Sequence, residues 1–140
     1  MIVVDASVAV KWYIAEPQSA EAIALLAEHQ GQILVPDLFV LEVQGALVRR
    51  ANMQKARRDE ATVAIASFAA LLAEEMVVCE HTLPADVARA AQIALDIGHP
   101  LKDCIYLALA IKNHCSLVTA DVHFAAKARE VYGAVQVLGE

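Results

Sequence analysis

The stretch Ile2-Val3-Val4-Asp5-Ala6-Ser7 decides the fold class of this 140-residue chain. Its first three residues are all apolar and lack the alternation of a strand that has one face in water. A strand of this kind is buried on both faces, which is typical of parallel sheets covered by helices on either side. The acid that closes the run therefore marks the carboxyl end of a buried strand.

Similar short apolar runs recur along the chain, separated by stretches with helical spacing. Further strands are predicted at 33–35, 76–79, 116–119 and 135–138, and helices at 8–14, 19–29, 36–51, 59–73, 84–97, 101–114 and 122–132. This alternation indicates an α/β fold, with a parallel sheet of about five short strands sandwiched between helices. The helix at 59–73 is apolar nearly all the way round, so we expect it to be buried on two sides. No linker or repeat divides the chain, and we expect one domain over residues 1–140.

The composition is unusually apolar and the net charge is acidic. Hydrophobic residues make up 59% of the chain, against a usual range of roughly 45–50%, which favours an oligomer or a partner interface. A net charge of −6 excludes proteins that hold nucleic acid through bulk positive charge. Five basic residues between positions 49 and 58 could still form a local phosphate-binding edge, or simply a solvated turn between helices.

Cysteine usage and the first residues indicate a cytoplasmic protein. Cys79, Cys104 and Cys115 form no CxxC pair, and we expect buried thiols in a reducing compartment. Asp5 interrupts the first apolar run and no basic leader precedes it, so a signal peptide is not expected. No apolar run approaches the roughly 18 residues of a membrane span.

Four carboxylates occupy positions where desolvation is costly: Asp5, Glu42, Asp103 and Asp121. Two of them follow apolar strands, and the other two lie in or just before apolar helical stretches. The functional crevice of an open parallel sheet lies beyond the carboxyl ends of its strands, where these acids can converge. Oxygen ligands suit Mg²⁺ or Mn²⁺, and a divalent ion at such a site suits phosphodiester hydrolysis.

Each carboxylate also has an interpretation that needs no metal. Asp5 and Asp121 could cap the helices that follow them. Asp103 could interact with a helix dipole or with Lys102. Glu42 could pair with Arg49, which lies two turns further along the same predicted helix.

Four segments together resemble the PIN-domain ribonucleases, and most closely the VapC-type toxins of toxin–antitoxin pairs. They are VVDASV (3–8), LEV (41–43), DCIYLALA (103–110) and LVTAD (117–121). The likeness covers essentially the whole chain, and the segments occur in the order typical of the family.

The resemblance implies a magnesium-dependent endoribonuclease, usually dimeric, that is inhibited by a small antitoxin. Asp5, Glu42, Asp103 and Asp121 would form the acidic metal site, with Thr119 as the hydroxyl beside it and Ser7 as a further member or a helix cap. Possible RNA contacts are Arg49, Arg50 and Lys102. An arginine of the antitoxin could enter the carboxylate cluster, and the segments 63–72 and 8–14 are candidate surfaces for the antitoxin or for a second subunit.

The chain departs from the family pattern at two positions. Lys102 stands where many relatives have an apolar or aromatic residue, and it could contact the scissile phosphate or weaken metal binding. His123 stands near a position where some relatives carry another acid, and we interpret it as a surface histidine in preference to a general acid or base. A non-catalytic PIN-like module that binds RNA or protein stays open as the alternative. A small phosphatase is disfavoured, because no Asp-x-Asp arrangement follows Asp5.

Overall fold

The computed structural model describes residues 1–140 as a five-stranded sheet covered by helices. The strands are β1 (Ile2–Val4), β2 (Ile33–Pro36), β3 (Val77–Glu80), β4 (Ser116–Thr119) and β5 (Val135–Val137). Their order across the sheet is β3-β2-β1-β4-β5, and every neighbouring pair is parallel. The predicted α/β fold with a parallel sheet of five short strands is confirmed.

Seven α-helices connect and cover the strands. They are α1 (Ala6–Ala9), α2 (Ser19–Glu28), α3 (Leu38–Met53), α4 (Arg58–Ala73), α5 (Pro84–Ile97), α6 (Leu101–Lys112) and α7 (Val122–Ala128). Two of the predicted helices are shorter than expected. After α1 the chain tightens into a 3-10 turn at Val10–Trp12, where the Trp12 indole donates a hydrogen bond to Ala22 O at 2.9 Å. The last helix ends at Ala128, and its C-cap residue Arg129 donates from Nε to Val135 O on β5, at 3.1 Å. None of the seven helices has the length and apolar character needed to cross a membrane.

The prediction that the helix at 59–73 is buried on two sides was wrong. Only one stripe of α4 is buried, made of Ala61, Ala64, Phe68 and Leu71, while Val63 on another face is 66% exposed. The helix packs against α3 and β3 on one side and faces outward on the other. Its many alanines made the sequence look uniformly apolar and concealed this single stripe.

The three cysteines are free thiols in different surroundings. Cys104 is buried and Cys115 is half-buried, but Cys79 is exposed, contrary to the prediction of three buried thiols. Cys79 lies on β3, which is an edge strand of the sheet and therefore has fewer neighbours.

The strand order places a crevice between β1 and β4. The chain runs outward from β1 through β2 to β3 and then returns to the other side of β1 as β4, so the direction of winding reverses between these two strands. Open α/β sheets bind ligands at such a switch point, outside the carboxyl ends of the strands. Val4 pairs with Val118 in this register, so Asp5 and Thr119 emerge side by side at that edge.

Candidate functional site

Asp5 lies at the centre of the crevice and is only 4% exposed. One carboxylate oxygen, Oδ1, accepts hydrogen bonds from Ser7 N at 3.1 Å and Ser7 Oγ at 2.5 Å. The other oxygen, Oδ2, accepts a hydrogen bond from Thr119 Oγ1 at 2.5 Å. The two hydroxyl side chains therefore fix the buried carboxylate from both sides.

Burial raises the pKa of Asp5 from 3.8 to about 6. The hydrogen bonds from Ser7 and Thr119 act in the opposite direction, and the negative charge of Asp103 adds to the rise. The ionised form of Asp5 is thus costly in the protein alone, because hydroxyl donors only partly replace the lost water and no cation lies on this carboxylate. A bound cation would remove that cost.

The same hydroxyl groups attach the start of α7 to the start of α1. Ser7 Oγ accepts a hydrogen bond from Ala120 N at 3.0 Å, and Thr119 Oγ1 accepts one from Asp121 N at 3.1 Å. This pairing holds the chain segments after β1 and β4 in a fixed relation at the crevice.

Asp5 and Asp121 are both helix N-caps, as the alternative interpretation expected. Asp121 Oδ1 accepts a hydrogen bond from Phe124 N at 2.9 Å, and Asp121 is otherwise exposed. Capping occupies one oxygen of Asp121 and leaves the other without a partner in the protein. A cap and a ligand are therefore compatible roles for this residue.

Glu42 projects from α3 toward two residues of α6. Its Oε1 accepts a hydrogen bond from the Tyr106 hydroxyl at 2.7 Å, and its Oε2 lies 3.7 Å from the Lys102 ammonium. Burial and the neighbouring Glu42 raise the pKa of Tyr106 far above its ordinary value, so the phenol stays protonated and acts as a donor. Lys102 is 69% exposed, which makes its ion pair weak. Arg49, the partner considered from the sequence, does not contact Glu42.

Asp103 lies in the first turn of α6, with its side chain about one-third exposed. Its Oδ2 lies 2.7 Å from Nε2 of His99, the residue that precedes Pro100 and the helix. The charge of Asp103 acts on Asp5, and the charges of Asp5, Glu42 and Asp103 all act on Tyr106. The negative charges of three of the four predicted acids therefore act on one buried phenol.

An open groove of about 660 Å³ extends along α3 from Glu42, the one member of this cluster that lines it. Glu42 and Asp121 line it together with Ser7, and the small residues Gly45 and Ala46 form part of its floor. Its cationic lining is Lys11, Arg49, Arg50 and Lys102. The groove therefore joins the acidic cluster to a basic end.

The three predicted RNA contacts, Arg49, Arg50 and Lys102, all line this groove but differ in their ion-pair partners. Arg50 Nη2 lies 2.5 Å from Glu16 Oε2, and the same glutamate holds Lys11 at 3.1 Å. Lys102 pairs with Glu42, as described above. Arg49 is exposed and has no ion pair.

Sequence reasoning missed His99 and the role of Tyr106. The signal for His99 was its spacing of four residues from Asp103, directly after Gly98, which ends α5. The signal for Tyr106 was its spacing of four from Lys102, in the middle of the otherwise apolar stretch 104–111 of α6. Both signals depend on knowing which face of α6 meets α3.

The donor set fits a hard divalent cation, although no three His, Cys, Asp or Glu side chains are gathered closely enough to enclose one as they stand. Mg²⁺ needs only one or two carboxylates directly and keeps several water molecules. The carboxylate oxygens of Asp5 and Asp103 interact through their charges, and Asp121 retains an oxygen without a protein partner.

The chain is similar to the PIN domain, whose family model matches residues 2–130. No curated protein is similar enough in sequence to match.

Several solved structures share the fold. VapC20 of Mycobacterium tuberculosis, a sarcin-ricin loop cleaving toxin, superposes with a TM-score of 0.70 at 19% identity, covering 90% of this chain and 94% of its own. PAE2754 of Pyrobaculum aerophilum gives a TM-score of 0.66 at 19% identity, with coverage of 96% and 82%. FitAcB of Neisseria gonorrhoeae gives 0.57 at 16% identity, with coverage of 99% and 97%. At these identities the likeness establishes the fold alone.

Proposed function

This chain belongs to the PIN-domain family, and from that premise we propose that residues 1–140 form a single metal-dependent endoribonuclease domain that acts as the toxin of a toxin–antitoxin pair. The observation that carries the proposal is Asp5, a buried carboxylate at the β1–β4 switch point whose pKa is raised to about 6 by burial and by its neighbour Asp103. A bound cation would supply the positive charge that this buried carboxylate lacks, which is the simplest explanation for its position.

Asp5, Glu42, Asp103 and Asp121 would hold Mg²⁺, or Mn²⁺ in its place. When bound, the ion supplies a Lewis acid that neutralises charge on the scissile phosphate and lowers the pKa of a coordinated water. No side chain of the site is placed as a protein nucleophile, so the proposed reaction is hydrolysis that leaves 5′-phosphate and 3′-hydroxyl ends.

The protein's own residues contribute orientation and electrostatics. Ser7 and Thr119 hold the Asp5 carboxylate through both oxygens, so little rearrangement is needed when it becomes fully ionised. Tyr106 holds Glu42 as a neutral donor. Fixed donors of this kind lower the reorganisation cost of the reaction.

Arg49, Arg50 and Lys102 are the proposed contacts to RNA phosphates. Arg49 is the strongest candidate of the three for a phosphate contact, because it lines the groove without an acidic partner. Arg50 is paired with Glu16, and Lys102 is paired with Glu42. Lys102 is exposed and its pair is long, so it can turn from Glu42 to a phosphate at small cost.

A small antitoxin and a second copy of the chain are the proposed protein partners, in the cytoplasm. Large apolar side chains that no part of the chain covers would supply their contacts, including Leu41, Val48, Met53 and Val63. Of the two predicted contact segments, 63–72 retains an outward face, but 8–14 is largely interior because Val8, Val10 and Ile14 are buried.

The test is cleavage of a mixed RNA substrate by the purified chain with Mg²⁺. We expect Asp5→Asn and Asp103→Asn to lower the cleavage rate at least about 100-fold while circular dichroism shows an unchanged fold. EDTA should abolish cleavage, and Mg²⁺ should restore it. Full activity of both variants would show that the proposed site is wrong. Activity in EDTA would show that cleavage needs no metal. A folded wild-type chain that neither cleaves RNA nor binds Mn²⁺ in calorimetric titration would favour a non-catalytic binding module.

A further inference from the structure

We propose that His99 is a positioning residue, which fixes the carboxylate of Asp103 through a hydrogen bond and so presents its second oxygen to a divalent cation. This inference rests on the proposed function, since it assigns a role toward the cation of the same site. It adds to the proposed site a residue that is not one of the four acids and that does not belong to α6.

The hydrogen bond defines the state of the imidazole. His99 Nε2 lies 2.7 Å from Asp103 Oδ2, and a carboxylate oxygen can only accept at that distance. Nε2 therefore carries the hydrogen, and Oδ2 is engaged. Oδ1 of Asp103 has no hydrogen-bond partner in the protein, so the histidine selects which oxygen stays free.

The ring is held in place from several sides. Its side chain is only 7% exposed, and it stacks on Phe124 with ring centroids 4.7 Å apart and an angle of 25° between the planes. The backbone around it is restricted as well, since Gly98 before it has a left-handed conformation and the ring of Pro100 after it disfavours helical dihedral angles for His99. His99 N donates to Ala94 O at 3.1 Å. A donor that cannot move is suited to orienting a ligand.

Phe124 connects this contact to a second acid. Its backbone N–H donates to Asp121 Oδ1, while its ring carries the stacked imidazole. His99 thus lies between the elements that carry Asp103 and Asp121. Outer hydrogen bonds of this kind orient metal-binding side chains, and their removal typically weakens metal binding about 10- to 100-fold.

Packing alone would explain the stacked ring but not the polar contact. A phenylalanine at position 99 could stack on Phe124 equally well, and it would lack the donor. His99→Phe therefore separates the two roles, and His99→Gln keeps an amide donor at a reach close to that of Nε2.

The experiment measures Mn²⁺ affinity by calorimetric titration and cleavage as a function of Mg²⁺ concentration. We expect His99→Phe to weaken Mn²⁺ binding about 10- to 100-fold and to shift the Mg²⁺ dependence of cleavage by the same factor. The rate at saturating Mg²⁺ should stay near that of the wild type. His99→Gln should recover part of the affinity. The matched control is His123→Phe, because His123 is exposed, has no hydrogen bond, and has its ring only 6.1 Å from that of His99.

The outcomes distinguish this inference from the proposed function. If Asp103→Asn loses Mn²⁺ binding while His99→Phe keeps wild-type affinity, the role of His99 is overturned and the metal site stands. If Asp103→Asn binds and cleaves like the wild type, the site itself is wrong. Equal losses in His99→Phe and His123→Phe would also overturn the inference.

A measurement on the unmutated chain covers the case in which His99→Phe does not fold. Long-range ¹H–¹⁵N correlation spectra report which imidazole nitrogen carries the hydrogen, and His99→Gln assigns the signal. We expect hydrogen on Nε2 of His99. A neutral ring with hydrogen on Nδ1 alone could not donate to Asp103 and would overturn the inference.

Discussion

Asp5 is a residue whose burial is costly to the fold. Its carboxylate is buried at the middle of the sheet, and the two hydroxyl groups on it offset only part of the desolvation. Proteins commonly retain such groups at functional sites, where stability is exchanged for chemistry.

Replacing Asp5 by asparagine should stabilise the metal-free protein at neutral pH. The folded pKa of about 6 exceeds the ordinary value of 3.8, so the folded state binds more protons between these values, and stability falls as the pH rises through that window. The pH-dependent advantage of Asp5→Asn should grow from nothing below pH 4 to about 2–3 kcal/mol above pH 6. Urea unfolding in EDTA at a series of pH values measures it.

Added Mg²⁺ provides the control for this prediction. It should raise the stability of the wild type more than that of Asp5→Asn, because the ion compensates only a charged residue. A stability difference between Asp5→Asn and the wild type that stays constant between pH 4 and 6 would contradict the argument, because the other acids are common to both proteins.

Removing the Tyr106 hydroxyl should affect cleavage more than stability. Tyr106→Phe leaves Glu42 with only the weak ion pair to Lys102, and we expect roughly 10-fold slower cleavage with about 1 kcal/mol lost from the free energy of unfolding. Tyr132→Phe is the matched control, since it removes a hydroxyl that donates to Cys115 O at 2.9 Å, outside the acidic cluster. We expect both variants to lose similar stability but only Tyr106→Phe to cleave more slowly. Equal cleavage rates in the two variants would rule out a role for the Tyr106 hydroxyl in the site.

Residues at strand ends could be predicted from the sequence, while pairs between helices could not. Asp5 and Asp121 each follow an apolar run, and parallel strands bring their carboxyl ends to one edge. The partners of Glu42 depend on how α3 and α6 meet. Nothing in the local sequence distinguishes Lys102 and Tyr106 from Arg49 as its neighbours.

At the scale of elements, the connection between α5 and α6 is short and its backbone is restricted. Only Gly98, His99 and Pro100 separate the two helices, which pack closely against each other. Gly98 adopts a φ of 66°, a conformation that other residues reach only with strain. The direction in which His99 points is therefore set by its two neighbours.

Gly98→Ala should destabilise the protein by about 1–2 kcal/mol through its backbone alone, because a Cβ there would meet no atom within 4 Å. Gly45→Ala is a control of opposite sign. Gly45 lies within α3 with equally open space around it, and alanine there should stabilise the helix by about 0.5–1 kcal/mol. Thermal unfolding of both variants tests the pair, and equal shifts in the same direction would contradict it.

The bounds of a helix were predicted well where a residue with a known preference for helix ends marks them. Pro84 and Gly98 bound α5 as expected, since proline favours the first turn of a helix and glycine favours its end. The ends of α1 and α7 were missed because the local sequence does not show side-chain contacts to other elements, such as those that Trp12 and Arg129 make there. We predicted that α4 is buried on two sides because alanines lie on both its buried and its exposed faces, so the sequence did not reveal the single buried stripe.

At the scale of the whole molecule, the distribution of charge matters more than the total of −6. The groove has an acidic end at Glu42 and Asp121 and a cationic lining in which only Arg49 lacks an acidic partner. The cluster of Lys11, Arg50 and Glu16 adds one net positive charge. RNA should therefore be held by few phosphate contacts, and its placement should depend strongly on the cation in the site.

The salt dependence of RNA binding tests this description. For two to three phosphate contacts, the logarithm of affinity should fall with the logarithm of salt concentration with a slope of about −1.5 to −2. Fluorescence anisotropy with the inactive Asp103→Asn variant and a single-stranded RNA measures the slope. Arg49→Gln should reduce its magnitude by about 0.7.

Arg129→Gln is the control for this measurement, because Arg129 pairs with Glu140 and does not line the groove. Its slope should equal that of the parent variant. A slope steeper than about −4 would place the phosphates along another surface.

The position of β1 in the sheet also affects when activity can arise during synthesis. β1 lies between β2 and β4, and Thr119, which fixes the Asp5 carboxylate, comes 114 positions later in the chain. A growing polypeptide on the ribosome therefore lacks one wall of the crevice until β4 has left the exit tunnel. The crevice, and any chemistry that it supports, therefore forms only after β4 has paired with β1.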